Sequence, residues 1–311
     1  IREGDKKPII INILNGLLQV NVNSAIGALN EDIDIDKEGK DIIREATSLV
    51  SNFKGSIFIV LATKLALEEN PREKFQRVKK LYEMLKSNFW GSQYLALTAF
   101  ALEEQVAETE YEAVVKKTRR IYDKMKKEHP FLTSREDISF AALFAISEMS
   151  EDEAIQRIER GYNLLKDKFF SANAVQSLSH ALAFGEEAEE VKCERLMTLF
   201  KRLKDNGCKY GTGIELATLG LLALITNDVE ETVRDVLEVN RYLLNSRGFG
   251  AFGVGKVQRL MYSVLIVAQA YKKENGMMGI AFANSITSIM IAQQVVFATI
   301  MVSAVASTAN N

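Results

Sequence analysis

Apolar positions along this chain fall into two helical patterns that alternate. Segments 57–67, 94–102, 138–146, 214–225 and 261–270 are apolar on nearly every side, and a helix without a polar face must be covered all round. Between them run amphipathic segments. In one, Ile155, Ile158, Tyr162 and Leu165 recur at spacings of three and four while Glu159, Arg160, Asn163 and Lys166 turn away, as on a helix with one wetted face. The spacing predicts hairpins, each with a buried helix (A) and an outer helix (B). The B helices end on related stretches: Leu81-Tyr82-Glu83-Met84-Leu85, Ile121-Tyr122-Asp123-Lys124-Met125, Gly161-Tyr162-Asn163-Leu164-Leu165 and Leu199-Phe200-Lys201-Arg202-Leu203. Their anchors Leu85, Met125, Leu165 and Leu203 lie 40, 40 and 38 residues apart, and Leu243 follows 40 later. A fixed period of this length marks stacked repeats, here about six helical hairpins.

Turn chemistry punctuates the same period. A short loop with an aromatic residue and small or polar neighbours follows the opening hairpin, Phe53-Lys54-Gly55-Ser56, and then each anchor: Phe89-Trp90-Gly91-Ser92, Phe131-Leu132-Thr133-Ser134, Phe169-Phe170-Ser171, Tyr210-Gly211-Thr212 and Phe249-Gly250. An apolar residue just before a polar cap is the pattern of a hydrophobic staple. For the B helices, Asn70 before Pro71, Thr109 with Glu112, Ser150 with Glu153 and Asn227 with Glu230 read as caps. Acids gather at B-helix starts and bases toward B-helix ends, the order the helix macrodipole favours. Stacking in register predicts one acidic and one basic edge.

The expected fold is therefore all-α, an α-α superhelix or solenoid. Residues 1–311 form a single helical-repeat domain in this reading: an opening hairpin at 1–52, repeats over 53–274 and an uncharged helix in 275–311. With 39 Lys and Arg against 41 Asp and Glu, the net charge of −2 gives no general attraction to nucleic acid, so no nucleic-acid partner is expected. Two cysteines, Cys193 and Cys208, suggest neither a disulfide framework nor a zinc site, and a cytoplasmic setting follows. Lys6 and Lys7 before an apolar stretch resemble a signal peptide, but Glu3, Asp5, Asn12 and Asn15 interrupt the pattern, which reads better as a first core helix. From Asn275 to Asn311 no residue is charged. The stretch 277–305 is long enough to cross a bilayer, so membrane association through it is the alternative localisation. Gln293 and Gln294 near its middle instead predict a helix over 285–306 packed on the A-helix layer.

Chemistry-bearing residues are few. Gly250, Gly253, Gly255 and Lys256 meet the glycine and lysine spacing of a phosphate-binding loop, but Val257 stands where Ser or Thr is needed and a helix leads in where a strand is required. A glycine-rich helix start is the plainer reading. His129 precedes Pro130 at a helix end, and His180 sits among Leu178, Leu182 and Phe184 on an A helix, either as a core histidine or as the polar centre of a pocket. Lys116, Lys117, Arg119, Arg120, Lys124, Lys126 and Lys127 read as a solvated outer face. Ligand candidates are thus His180, Gly250, Gly253, Gly255 and Lys256. No catalytic residue, metal site or cofactor is expected.

The run His129-Pro130-Phe131-Leu132-Thr133-Ser134, the stretch Leu178-Ser179-His180-Ala181-Leu182, the Gly248-Phe249-Gly250 loop and Ala292-Gln293-Gln294 together resemble the bacterial family known as domain of unknown function 4003. The resemblance covers the chain from about Phe53 onward and rests on caps and loop residues. It implies a bacterial helical protein and supplies no site residues. The architecture favours a scaffold for a protein or peptide partner; the alternative is a small-molecule binder or enzyme with a pocket near His180 or the Gly250 loop.

Overall fold

The computed structural model describes Phe53, Leu61, Leu65 and residues 68–213, 215–246, 249 and 255–275. Ten α-helices follow in chain order: α1 (Pro71–Lys86), α2 (Gln93–Glu103), α3 (Tyr111–Glu128), α4 (Asp137–Ile146), α5 (Glu151–Leu165), α6 (Ala172–Leu182), α7 (Glu189–Asp205), α8 (Leu216–Ile225), α9 (Val229–Leu244) and α10 (Lys256–Asn275). A 3-10 turn, Glu108–Glu110, precedes α3, and no strand occurs among the described residues. These residues form two compact units. An N-terminal unit runs to residue 127 and includes 134–148; a C-terminal unit holds 128–133 and everything described from 149 onward. The opening hairpin expected at 1–52 and the helix expected at 285–306 lie outside the described residues.

In the N-terminal unit α1 packs on α2, and α2 on α4. Phe53 meets the edges of both Phe75 and Tyr82, with ring centroids 5.4 and 4.9 Å apart, so three large buried rings fill the first interhelical space. In the C-terminal unit α8 packs between α6 and α10 in an inner layer, while α7 packs against both α5 and α9 in an outer one. Each outer helix also covers the inner helix that follows it. Consecutive hairpins burying one another in two layers is the packing of an α-α superhelix, and the all-α fold class holds. Every residue of α8 is buried, as its wholly apolar sequence demands. Gly220 permits the close approach of α6. A Cβ there would stand 2.7 Å from Leu178 Cδ1 and 3.6 Å from Ala181 Cβ.

Burying a helix on all sides creates a problem at its end, because the last four carbonyls have no donor within the helix. Outer-helix cations supply one. Arg157 Nη1 donates to Gly185 O at 2.6 Å, just past α6, and Arg195 Nη1 to Ala223 O at 2.9 Å, in the last turn of α8. In the N-terminal unit Lys117 Nζ donates to Ser147 O at 3.3 Å, beyond α4, and Arg77 Nε to the Glu103 carboxylate at 2.7 Å, where α2 ends. These cations are spaced 40, 40 and 38 residues apart. Forty residues after Arg195 stands Asp235, whose carboxylate accepts from the Tyr271 hydroxyl of α10 at 2.7 Å. The last rung keeps the tie and changes its chemistry.

A second series links outer helices. Arg160 pairs with Glu190 in the first turn of α7, and Arg202 with Glu230 in the first turn of α9 at 2.7 Å. Lys80 of α1 pairs with Glu108 before α3. Several acids at outer-helix starts are paired: Glu108, Glu190 and Glu230 with cations of the preceding outer helix, and Glu187 with Arg195.

Caps also differ in part from expectation. Ser92, Ser150 and Ser171 accept from the backbone N–H three residues on. The cap of α9 is Asp228, accepting from Glu231 N at 3.0 Å, one residue after the expected Asn227. Thr109 lies inside the 3-10 turn, while Glu112 pairs with Lys116. Asn70 makes no side-chain cap bond, so Pro71 alone marks that start.

Replacing Arg157 by Met should lower the unfolding free energy by about 1 kcal/mol, measured in urea, since the Gly185 carbonyl loses one of its two charged donors and keeps Lys192. Glu153→Gln, which breaks only the exposed pair with Arg157, should cost a few tenths.

Acidification should act on the same ties. Arg195 holds the Glu187 carboxyl below the usual carboxylate range, Lys80 does so for Glu108, and Glu190 is lowered by its own backbone N–H and by Arg160. Each binds fewer protons folded than unfolded, so its stabilisation is complete above the unfolded value of about 4.3 and is lost as pH falls through the lower folded values. Burial raises Glu189, which opposes the trend. The melting temperature should stay level from neutrality to about pH 5 and drop below it; a level curve down to pH 3 would contradict this assignment.

Candidate functional site

Inside the inner layer, the hydroxyls bond one another or nearby backbone carbonyls. Thr98, Ser139, Ser179 and Thr218 recur at spacings of 41, 40 and 39 residues, all completely buried. Thr98 Oγ1 donates to Tyr94 O and lies 2.8 Å from Ser139 Oγ, which joins α2 to α4. Ser179 Oγ donates to Gln176 O, Gln176 Nε2 to Thr133 Oγ1 at 2.8 Å, and the Tyr210 and Thr218 hydroxyls bond one another. His180 follows Ser179 on α6 and has no solvent exposure.

Next to this layer lies a buried ion pair that sequence reasoning missed. Lys192 of α7, wholly buried, donates to Glu189 Oε1 at 2.6 Å and to Gly185 O at 2.9 Å. Two cations, Lys192 and Arg157, therefore converge on the Gly185 carbonyl, three residues beyond the end of α6. Burial lowers the lysine and raises the glutamate, with their mutual hydrogen bond opposing both shifts. Gly185 makes room, since a Cβ there would lie 2.9 Å from Lys192 Cδ and 2.5 Å from Leu224 Cδ2. The signal in the sequence was a glutamate three residues before a lysine, indistinguishable there from a surface pair. The neighbouring Cys193 thiol is pushed up to about 12 by burial.

Outside, the loops from outer to inner helices follow one design. Their first aromatic is an anchor: Phe89 packs on Tyr122 at 5.4 Å and Phe169 on Phe200 at 5.3 Å, both edge to face. His129 takes the same role on Tyr162, with centroids 4.4 Å apart, and its Nε2 lies 2.9 Å from Glu159 Oε1, off the line of a hydrogen bond. In the next loop Cys208 Sγ accepts from Asn240 at 3.6 Å, and Asn240 Oδ1 accepts from Arg259. The residue beyond the anchor points outward. Trp90 is 82% exposed, Phe131 99% and Phe170 103%. The staple expected for Phe131 is thus corrected: it covers nothing, and His129 is the anchor.

Lys256 and Gly255 are both exposed at the start of α10, and a Cβ on Gly255 would meet nothing within 4 Å. Gly250 and Gly253 lie outside the described residues. Helix α9 precedes this segment, with Tyr242 and Leu244 half exposed in its last turn and Val257 half exposed in the first turn of α10. Of the sequence candidates, His180 is buried on α6, and Gly255 and Lys256 are exposed at the start of α10. On α3, Lys116 pairs with Glu112, and Arg119 pairs with Asp123, donates to Asn88 O and covers the Phe89 ring at 5.2 Å. Among the described residues no group of three His, Cys, Asp or Glu is gathered to hold a metal ion, and no helix is long and apolar enough to cross a membrane.

The sequence model of the family described as "Protein of unknown function (DUF4003)" matches residues 17–295. The chain belongs to that family. No curated protein and no solved structure matches it. The family gives no residue a role, so the functional reading rests on the arrangement of side chains.

With Ellman's reagent at pH 8, native protein should release no fast thiol: burial raises both thiols, and only Cys208 is partly exposed. Cys208 should react slowly and Cys193 only on unfolding. Rapid labelling of both in the native state would contradict the packing around α7.

Proposed function

We propose that this protein is a cytoplasmic binding scaffold for a protein or peptide partner. The observation that carries the reading is the contrast between a buried, hydrogen-bonded inner layer and the half-exposed apolar side chains where α9 ends and α10 begins. The inner-layer hydroxyls are bonded to each other or to backbone carbonyls, and His180 and Lys192 have no exposure. Tyr242, Leu244 and Val257 are half exposed on two helices that pack together as a hairpin, with Lys256 beside them. Half-buried aromatic and aliphatic side chains around a cation make the kind of surface from which interface hot spots are built. Stacked hairpins generally act through such extended surfaces.

Tagged full-length chain, expressed in its native host, should co-purify a discrete partner. The double variant Tyr242→Ser/Leu244→Ser should remain folded and lose it, and the purified pair should bind directly with affinity reduced at least tenfold by the double change, the scale of burying one large apolar side chain. The reading fails if the folded chain retains no partner while a nucleotide or metabolite raises its melting temperature and His180→Ala or Lys256→Ala abolishes that shift.

A further inference from the structure

The C-terminal unit carries a second outward surface, distinct from the α9–α10 patch. Its loops are held to one edge by their anchors. His129 is stacked on Tyr162 near the end of α5, Thr133 accepts from Gln176 of α6, and Phe169 is seated on Phe200 near the end of α7. Phe131 lies between His129 and Thr133, and Phe170 directly follows Phe169. Both therefore project from the same edge, the one formed by the loop at 128–133 and the α5–α6 turn, and both are fully exposed. In the next loop the equivalent position is Lys209, also exposed.

We propose that this edge docks on an anionic lipid surface, with Phe131 and Phe170 entering the interfacial region and Lys166, Lys168, Lys204 and Lys209 meeting the head groups. Three features favour lipid over a protein surface. Each phenylalanine stands alone on a loop tip, so the partner must close around it on all sides, which a fluid interface does without a matching hole. The anchors are rigidly packed while the tips touch nothing, an arrangement that holds the side chains out at no cost to the core. The exposed lysines at the ends of α5 and α7 outnumber the exposed acids there, Glu128, Asp167 and Asp205, and lysine stems can lie along the interface with their charge among phosphates. The outer-helix acids that would repel such a surface lie at the opposite helix ends, where Glu187, Glu190 and Glu230 are paired with arginines.

The test uses the full chain and two vesicle compositions, phosphatidylcholine alone and phosphatidylcholine mixed with phosphatidylglycerol. Wild type should sediment with the mixed vesicles. Phe131→Ser and Phe170→Ser should each weaken partition about tenfold, and the double variant, still folded by circular dichroism, should stay in the supernatant. Lys168→Glu/Lys209→Glu should weaken binding to mixed vesicles, with the loss growing less at high salt. Trp90 is the only tryptophan, so a Trp90→Phe/Phe170→Trp chain reports from the tip itself, and its emission should shift to the blue on mixed vesicles. The proposal is overturned if no sedimentation occurs, if the double phenylalanine variant sediments like wild type, if the tip tryptophan does not respond, or if the tips prove to be needed for a protein partner without vesicle binding. None of these outcomes bears on Tyr242 and Leu244, so this proposal and the scaffold reading can fail separately.

Discussion

The dominant constraint in this molecule is the fate of the carbonyl groups at the ends of its buried helices. An inner helix such as α8, covered on every face, cannot leave those carbonyls to water along its buried side. A long cation reaching across from the outer layer satisfies them without opening the core, because its aliphatic stem packs as hydrocarbon and only its head is polar. Arg157 and Arg195 do this in the C-terminal unit, and Lys117 in the N-terminal one. A donor of that length fixes the distance and stagger between layers.

Several secondary features follow. With one cation turned inward, the next one along the outer helix, Lys80 or Arg160, is free to reach the acid opening the following outer helix. Several acids at outer-helix starts are thus paired, and the exposed lysines at the other edge face solvent in a chain of net charge −2. The loops there need only one ring each to stay closed. Where Phe89, His129 and Phe169 supply it, the residue beyond carries no packing duty, which leaves Trp90, Phe131 and Phe170 open to interactions outside the fold.

Much of the architecture was legible in advance because it is written in periodic, local signals. Helix types, the apolar character of α8, the serine caps and the spacing of anchors all depend on neighbours within a few residues or on a repeat visible by eye. The cation series at 77, 117, 157 and 195 has the same period but is not distinctive in the sequence, because a basic residue on an amphipathic helix looks like ordinary surface charge until its partner 26 to 30 residues on is known. Burial of Lys192 was hidden for the same reason: an i, i+3 pair reads alike on either face of a helix. The division of labour between Phe169 and Phe170, one buried and one exposed, depends on a single peptide rotation that composition does not encode. His180 read as either a core or a pocket residue. In the structure it is buried on α6.

Native-state hydrogen exchange read peptide by peptide by mass spectrometry tests the cation ties most directly. In an Arg195→Met chain the amides at the end of α8 and in the 223–229 connection should lose protection first and most, with α7 and α9 following and the N-terminal unit unchanged. Protection that stays at the wild-type level along α8, or that falls evenly over the whole chain, would contradict the claim that these side chains hold the layers together.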